Sequence, residues 1–368
     1  MDPRNHRPFA DSAPDPWPGA RDPFPAGSPP PLLPPAAPGR SRILLNVVLF
    51  LATVLTTMIA GAFHKGVDPF ASPGNLLQGI PFSAALLSIL LAHEMGHYLT
   101  SRRYGVAASL PYFIPVPTFI GTMGAIIRMR SVIRNRRVLF DIGIAGPLWG
   151  MAVAVPVTVI GLLLSRLVTV GPESGGISLG DSLLFKLLIG WIFGDFPEWQ
   201  TVELHPVAFA GWLGFFVTSL NLIPIGQLDG GHVAYGIIGP HHRLLSRVVF
   251  VCLLLWGLHG AFTVFEPLQW LWAVAFFWLA IRTAFHTQPG YLLRGLTLLL
   301  LGIGITRTYV PDTMVWVFWA TLMCFLKLDH PPTHDVRVPL DRRRKVLGWI
   351  ALALFLLTFI PSPFQGIP

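Results

Sequence analysis

Apolar residues occur along this chain in long runs that are separated by shorter polar stretches. Most of the runs have about 17–25 residues, the length with which an α-helix crosses the hydrocarbon core of a membrane. We therefore expect an all-α polytopic membrane protein. The eight or nine predicted spans are at residues 43–63, 80–100, 139–165, 206–224, 246–264, 267–285, 291–306, 312–327 and 346–361.

The amino-acid composition agrees with a membrane protein. Of the 368 residues, 53% are hydrophobic and only 12% are charged, whereas soluble domains carry about 25% charged residues. This excludes an ordinary soluble enzyme. The net charge of +8 does not indicate a nucleic-acid partner, because the basic residues flank the apolar runs, as they do in membrane proteins.

Residues 1–42 differ from the rest of the chain in their many prolines, as in Ser28-Pro29-Pro30-Pro31. Proline interrupts helices, and such a segment buries little apolar surface. We expect a disordered tail here, with a ligand for a proline-recognising domain as the alternative. The other expected units are a membrane domain at 43–240, with its core at about 80–235, and additional membrane helices at 241–368.

Arginines are distributed unequally among the loops. The segment 101–138 has seven arginines and no acidic residue, whereas the segment 166–205 is rich in acidic residues. The positive-inside rule then places the N-terminus and the 101–138 loop in the cytoplasm. We expect a bacterial inner membrane, because the tail contains several aspartates and transit peptides are poor in acidic residues.

The second apolar run contains the segment His93-Glu94-Met95-Gly96-His97. Residues four apart lie on one face of a helix, so His93 and His97 can bind the same metal ion. Glu94 then lies beside the metal, where it can accept a proton from water. The segment has the pattern of zinc proteases. The alternative is a buried polar cluster that only holds helices together, although such groups are costly at membrane depth.

A catalytic zinc site needs a third protein ligand. The fourth apolar run ends with Asn221-Leu222-Ile223-Pro224, and Leu228-Asp229-Gly230-Gly231 follows it. Asp229 is an acid at the mouth of an apolar helix, and the two glycines allow backbone to approach closely. We expect Asp229 to complete the metal site, although a plain turn would explain Asp-Gly-Gly taken alone.

These two motifs together resemble those of the site-2 protease family of intramembrane zinc metalloproteases. The resemblance covers about residues 80–235, which correspond to the three-helix catalytic core of that family. It implies one zinc ion per chain, bound by His93, His97 and Asp229, with Glu94 as the catalytic base. It also implies that Asn221 holds the substrate backbone or the developing oxyanion.

The segment Phe140-Asp141-Ile142-Gly143-Ile144-Ala145-Gly146-Pro147 is similar to the start of the middle core helix of the same family. Gly146 and Gly150 are four residues apart and predict close helix packing. We interpret Asp141 as a residue of the helix start, or one that supports the ligands, rather than as a ligand. The later segment from His330 to Asp335 is interpreted as a solvated cytoplasmic turn, with metal binding as the alternative.

The apolar segment between Pro111 and Arg128 is interrupted by Pro and Gly, which argues against a helix. Members of the family have a re-entrant β-hairpin beside the active site at this place. A strand edge there could pair with an unwound substrate, and a plain connecting loop is the alternative. The chain looks like a compact member without a PDZ or CBS domain, and residues 183–193 predict a short helix on the outer surface.

The expected function is that of a zinc metalloendopeptidase, which hydrolyses peptide bonds within or near the transmembrane segments of membrane-protein substrates. One alternative is a membrane metal-ion carrier, since carriers also place histidines and acids along a membrane path. A second alternative is an inactive relative that only binds membrane partners. The expected partners are a transmembrane substrate and the lipid bilayer.

Overall fold

A computed structural model describes most of the chain between residues 40 and 366. The described residues are 40–131, 133–169, 177–197, 199–259, 314–326, 328–331, 333, 335 and 338–366, with a few more between 274 and 282. The predicted span at 291–306, most of that at 267–285, and residues 1–39 of the predicted tail lie outside this part of the chain.

The described part of the chain is mostly helical. Its helices are α1 (Arg40–His64), α2 (Pro73–Leu77), α3 (Ile80–Arg103), α4 (Arg136–Leu163), α5 (Leu183–Phe193), α6 (Pro206–Leu222), α7 (Asp229–Ile238), α8 (His242–Leu258), α9 (Met314–Leu326) and α10 (Arg342–Thr358). Its strands are short and lie at β1 (Tyr112–Pro115), β2 (Thr122–Ile126), β3 (Arg166–Thr169), β4 (Ile177–Leu179), β5 (Gln200–Glu203) and β6 (Phe364–Gly366).

Four helical segments of the described residues are long and apolar enough to cross a membrane. They are Ile43–His64, Pro73–Arg103, Arg136–Leu163 and Asp229–Gly257. The protein is therefore an integral membrane protein, as predicted. Helices α6, α9 and α10 coincide with further predicted spans but are shorter than these four segments. The predicted total of eight or nine spans therefore stays a prediction.

Helices α3, α4 and α6 form the centre of the fold. Trp212 and Phe215 of α6 are fully buried, and Leu86 of α3 packs in the same apolar core. Small residues let the helices approach closely, because a Cβ added to Gly161 of α4 would lie 2.2 Å from the backbone nitrogen of Ala208. The outer face of α1 instead exposes large apolar side chains such as Leu51, as expected for a surface in contact with lipid.

Helix α4 begins five residues before Asp141. Its N-cap is Asn135, whose side chain accepts hydrogen bonds from the backbone N–H groups of Arg137 and Val138, as is typical of this position. Asp141 lies in the second turn of the helix and faces other elements. Of the two interpretations of Asp141, the helix start does not apply, and the support of the ligands stays a prediction.

The segment between Pro111 and Arg128 is not helical, as predicted. Strands β1 and β2 pair in an antiparallel manner, with Tyr112 opposite Ile126. Helix α1 supports this hairpin: the Thr56 hydroxyl donates to the carbonyl of Gly121 at 2.6 Å, and the Asn46 amide donates to that of Pro111 at 2.7 Å. The re-entrant position of the hairpin in the membrane stays a prediction.

The remaining strands lie in two further antiparallel pairs, β3 with β5 and β4 with β6. They flank α5, whose bounds, Leu183–Phe193, are those of the short helix predicted from the sequence. The location of α5 on the membrane surface and the predicted domain boundaries stay predictions.

Candidate metal centre

His93 and His97 lie one turn apart on α3, as the spacing predicted. At about 1.5 Å per residue, His93 is about 15 Å from the helix end at Arg103. Both imidazoles are largely buried. Their Nε2 atoms are 3.1 Å apart, so the two rings converge on one point.

Asp229 reaches the two histidines through a sharp turn between α6 and α7. A Cβ added to Gly230 would lie 2.0 Å from the carbonyl oxygen of Leu222, and one added to Gly231 would lie 2.4 Å from that of Gly226. Side chains at these two positions would therefore collide with backbone. This confirms the close backbone approach that Asp-Gly-Gly predicted.

The carboxylate of Asp229 completes a compact group of ligand atoms. Its Oδ2 lies 3.1 Å from Nε2 of His93 and 3.2 Å from Nε2 of His97. Ligand atoms about 2.0–2.2 Å from a tetrahedral zinc ion are about 3.3–3.6 Å apart, close to these separations. Two imidazole nitrogens and a carboxylate oxygen are also a donor set of catalytic zinc sites. The residues present thus fit a zinc ion.

The orientation of His97 is fixed by the backbone of α4. Its Nδ1 lies 2.7 Å from the carbonyl oxygen of Ile142. Because a carbonyl only accepts, Nδ1 donates this hydrogen bond, and Nε2 is the ring nitrogen that faces Asp229 and His93. Such a hydrogen bond from the second ring nitrogen is typical of metal-binding histidines. Sequence reasoning missed this contact, since a backbone carbonyl leaves no signal in the sequence.

A glycine face of α4 makes room for the imidazoles. A Cβ added to Gly146 would lie 2.1 Å from Nε2 of His97, and one added to Gly150 would lie 3.2 Å from the Cβ of His93. The predicted close helix packing at these glycines is confirmed. The side chains that occupy the space, however, are those of the candidate ligands.

The two other predicted site residues lie beside this group. Glu94 follows His93 on α3, is only 8% exposed, and lies within electrostatic range of His97 and Asp229. The Nδ2 atom of Asn221, near the end of α6, lies 3.4 Å from Nε2 of His93. The structure thus brings all five predicted site residues together, and the role of each remains a proposal.

A second group of histidines, His232, His242 and His330, was missed by the sequence analysis. Nδ1 of His330 lies 2.6 Å from the carbonyl oxygen of Pro331 and therefore donates to it. Nε2 of His330 then accepts from Nδ1 of His232, at 2.7 Å. His232 is buried and His330 is half-buried against it, so this residue is less solvated than the predicted turn implied.

The fold and the site define a class of protein. Two imidazoles and a carboxylate converge on one metal position between helices that can cross a membrane, which is the arrangement of a membrane-embedded metalloenzyme. Residues 81–257 match the model of peptidase family M50, which is the site-2 protease family. The resemblance inferred from the two motifs is thereby confirmed.

Several relatives are named as zinc metalloproteases. "Probable zinc metalloprotease EGY1, chloroplastic" of Arabidopsis thaliana is 37% identical over 169 residues, or 44% of this chain and 30% of the relative. The protein of the same name from Oryza sativa subsp. japonica is 37% identical over 227 residues, or 54% of this chain and 38% of the relative. "Probable zinc metalloprotease EGY2, chloroplastic" of Oryza sativa subsp. indica is 29% identical over 249 residues, or 64% of this chain and 43% of the relative.

The chain spans less than half the length of these relatives, from 30% to 43%. Their names place them in chloroplasts, which gives no support to the predicted bacterial inner membrane. No solved structure matches the chain.

Proposed function

We propose that this protein is an intramembrane zinc metalloprotease, which hydrolyses peptide bonds within or near the transmembrane segments of membrane-protein substrates. The observation that carries the proposal is the convergence of His93, His97 and Asp229 on one position between candidate membrane-spanning helices. The match of residues 81–257 to peptidase family M50 and the names of the relatives support the same activity.

In this proposal, His93, His97 and Asp229 hold the zinc ion. Zinc, when bound, supplies Lewis-acid activation of water and of the scissile carbonyl. The hydrogen bond from His97 to Ile142 fixes the direction of one ligand before zinc binds. The buried site excludes bulk water, which strengthens the electrostatic interactions within it.

Glu94 acts as the general base. It is adjacent to a ligand in the sequence but does not belong to the group of converging ligand atoms. Its carboxylate takes a proton from the attacking water and delivers it to the nitrogen of the leaving amine. These two transfers are the proton steps that hydrolysis of a peptide bond requires.

Asn221 acts as a hydrogen-bond donor to the reacting carbonyl. Its amide nitrogen lies at the edge of the metal centre, 3.4 Å from Nε2 of His93. An amide N–H aimed at the developing oxyanion contributes about 2.7–4 kcal/mol to transition-state stabilisation in hydrolases. Its distance from Nε2 of His93 is compatible with this role.

The substrate is a transmembrane segment that becomes locally unwound. Amide groups of a helix in a membrane are bonded within the helix, so a protease must first expose them. Among the described strands, β2 pairs only with β1. We propose that the other edge of β2 receives the extended substrate through backbone hydrogen bonds.

We also propose that the active site opens on the cytoplasmic side. The positive-inside rule supports this orientation, because exposed arginines follow directly at the end of α3. In a variant without Cys252 and Cys324, the substitution Arg103→Cys should react with a thiol reagent only when the cytoplasmic face is accessible. Labelling from the other face alone would reverse the orientation.

Glu94→Gln tests the proposed function directly. The variant keeps all three ligands, so it should retain zinc and lose hydrolysis of a transmembrane substrate by about 10²–10⁴-fold. Glu203→Gln makes the same chemical change at an exposed position and serves as the matched control. Cleavage at the wild-type rate by Glu94→Gln would remove Glu94 from its role. Zinc flux without cleavage by the wild-type protein would favour a metal-ion carrier.

A further inference from the structure

We propose that Arg344 is a positioning residue for the metal ligands, which acts through Asp141 and helix α4. Arg344 lies on α10, outside the residues 81–257 that match the M50 model. The inference deepens the proposed function and rests on it for any effect on activity. Its effect on the metal centre itself can be measured without a substrate.

Arg344 and Asp141 form a two-pronged ion pair. Nε of Arg344 donates to Oδ1 of Asp141 at 2.8 Å, and Nη2 donates to Oδ2 at 2.5 Å. Both side chains are mostly buried, with 21% and 15% of their surface exposed. This parallel geometry is the strongest that arginine and a carboxylate can adopt.

The same carboxylate connects to α3. The hydroxyl of Tyr104, the residue that follows α3, donates to Oδ2 of Asp141 at 2.5 Å. Arg344 also contacts Asp341, the N-cap residue of α10. One carboxylate therefore joins the end of α3, the second turn of α4 and the first turn of α10.

This junction lies next to the contacts that orient His97. Asp141 precedes Ile142, whose carbonyl accepts the hydrogen bond from Nδ1 of His97. One turn further along α4, Gly146 faces the His97 ring with no space for a Cβ. A shift of α4 relative to α3 would therefore displace both contacts at once. The ion pair sets the position of α4 at the turn that lies next to these two contacts.

The attachment of α10 does not depend on Arg344 alone. Ala351 and Leu347 of α10 pack in an apolar cluster with Phe140 of α4 and Leu222 of α6. The segment before α10 is also bonded to α4, because Nε of Arg137 donates to the carbonyl of Pro339 at 2.7 Å. Removal of the Arg344 side chain should therefore leave the fold intact and release Asp141.

The test uses the full-length protein in detergent or lipid discs. The variants are Arg344→Ala, Arg344→Lys and Arg343→Ala, the last of which removes the same charge from the adjacent exposed position. Zinc affinity is measured by competition with a chelator. The absorption spectrum of the cobalt(II)-substituted protein reports the geometry of the ligands directly.

We expect Arg344→Ala to weaken zinc binding by about 10–100-fold, the usual effect of removing a partner that orients metal ligands, and to change the cobalt spectrum. Arg344→Lys keeps the charge but not the two-pronged contact, so its affinity should lie between that of Arg344→Ala and that of the wild type. Arg343→Ala should match the wild type in both measurements.

Asp141→Asn provides an independent check. It removes the charge to which Arg344 binds and should weaken zinc binding in the same direction. Because the two residues act as one unit, the double variant with Arg344→Ala should be no weaker than the more affected single variant. If Arg344→Ala does not fold, Arg344→Lys and Asp141→Asn decide the question.

Wild-type affinity and an unchanged cobalt spectrum in Arg344→Ala, or in both Arg344→Lys and Asp141→Asn, would overturn the inference. This failure is distinct from failure of the proposed function. A wild-type protein that binds zinc and cuts no substrate would overturn the protease proposal, while a shifted spectrum in Arg344→Ala would still support the positioning role.

Discussion

Two groups of histidines lie in the part of the chain that the structure describes, and they differ in what their nitrogens face. In the metal centre, the Nε2 atoms of His93 and His97 and the carboxylate of Asp229 face one another within 3.2 Å. In the second group, His232 and His330 are joined by a hydrogen bond from one ring to the other. The first group converges on a point, whereas the second forms a chain.

The two groups also differ in their use of carboxylates. Asp229 turns towards the imidazoles of the metal centre and supplies the negative charge that a cation requires. Asp329, the residue before His330, is instead bound by Arg243 and Arg247. The comparison shows that the number and burial of histidines do not by themselves indicate a metal site. A metal site is indicated when ring nitrogens and an available carboxylate converge on one point.

The largest effect that separates the two groups is expected from Asp229→Ala. Loss of a direct ligand leaves only two imidazoles to bind zinc. Zinc affinity should therefore fall more than it does after loss of an orienting partner, which costs up to about 100-fold. The measurement is zinc content and chelator competition on the purified protein. His330→Ala is the matched control and should keep one zinc per chain. Full zinc content in Asp229→Ala would contradict the ligand assignment.

Two glycines of α4 allow the two histidine groups to be compared by adding a methyl group beside each. Alanine at position 146 would place a Cβ 2.1 Å from Nε2 of His97, whereas alanine at position 143 would place one 2.6 Å from the Cβ of His232 and 3.3 Å from the backbone carbonyl oxygen of Asp229. Gly146→Ala should therefore displace a ligand and lose zinc. Gly143→Ala meets the backbone of Asp229 but no ligand atom, so it should lose less zinc than Gly146→Ala and about 1–3 kcal/mol of stability through overpacking.

Zinc analysis and unfolding in mixed detergents measure the two effects of these glycine substitutions. Equal zinc loss in Gly143→Ala and Gly146→Ala would mean that α4 acts on both histidine groups as one unit. The contrast between the groups would then be wrong.

A smaller effect is expected from His330→Ala. The substitution removes the acceptor for the Nδ1–H of buried His232, and an unsatisfied buried donor costs about 1–3 kcal/mol. The free energy of unfolding should fall by that amount while zinc content stays unchanged. His330→Gln can still accept a hydrogen bond and should recover part of the loss. Zinc loss in His330→Ala would show that the second group supports the metal centre.

The smallest effect is expected from deletion of residues 1–38, which removes no residue of either histidine group. The predicted tail is rich in proline and supplies little packing. Zinc content, unfolding free energy and cleavage of a transmembrane substrate should match those of the full chain. A change in zinc content would show that the tail contributes to the metal centre, against the prediction of a separate segment.

The sequence by itself determined the parts of the site that depend on local spacing. His93, Glu94 and His97 form a recognisable unit because the α-helix repeats every 3.6 residues, whatever surrounds it. Asp229 could be paired with them because the first motif required a third ligand, since a plain turn explains Asp-Gly-Gly taken alone. The helical spans, and the absence of a helix between Pro111 and Arg128, followed from local composition, whereas the hairpin itself was implied by the resemblance to the family.

Tertiary structure alone decided which distant groups act on those residues. The carbonyl of Ile142 orients His97 across 45 residues, and Arg344 reaches Asp141 across 203 residues. A local pattern indicates which face of a helix is polar or small, but not which side chain will occupy that face. Gly146 therefore predicted close packing without indicating His97, and His330 gave no sign of His232. Such pairings arise from the packing of whole helices, which fixes distances that no spacing along the chain encodes.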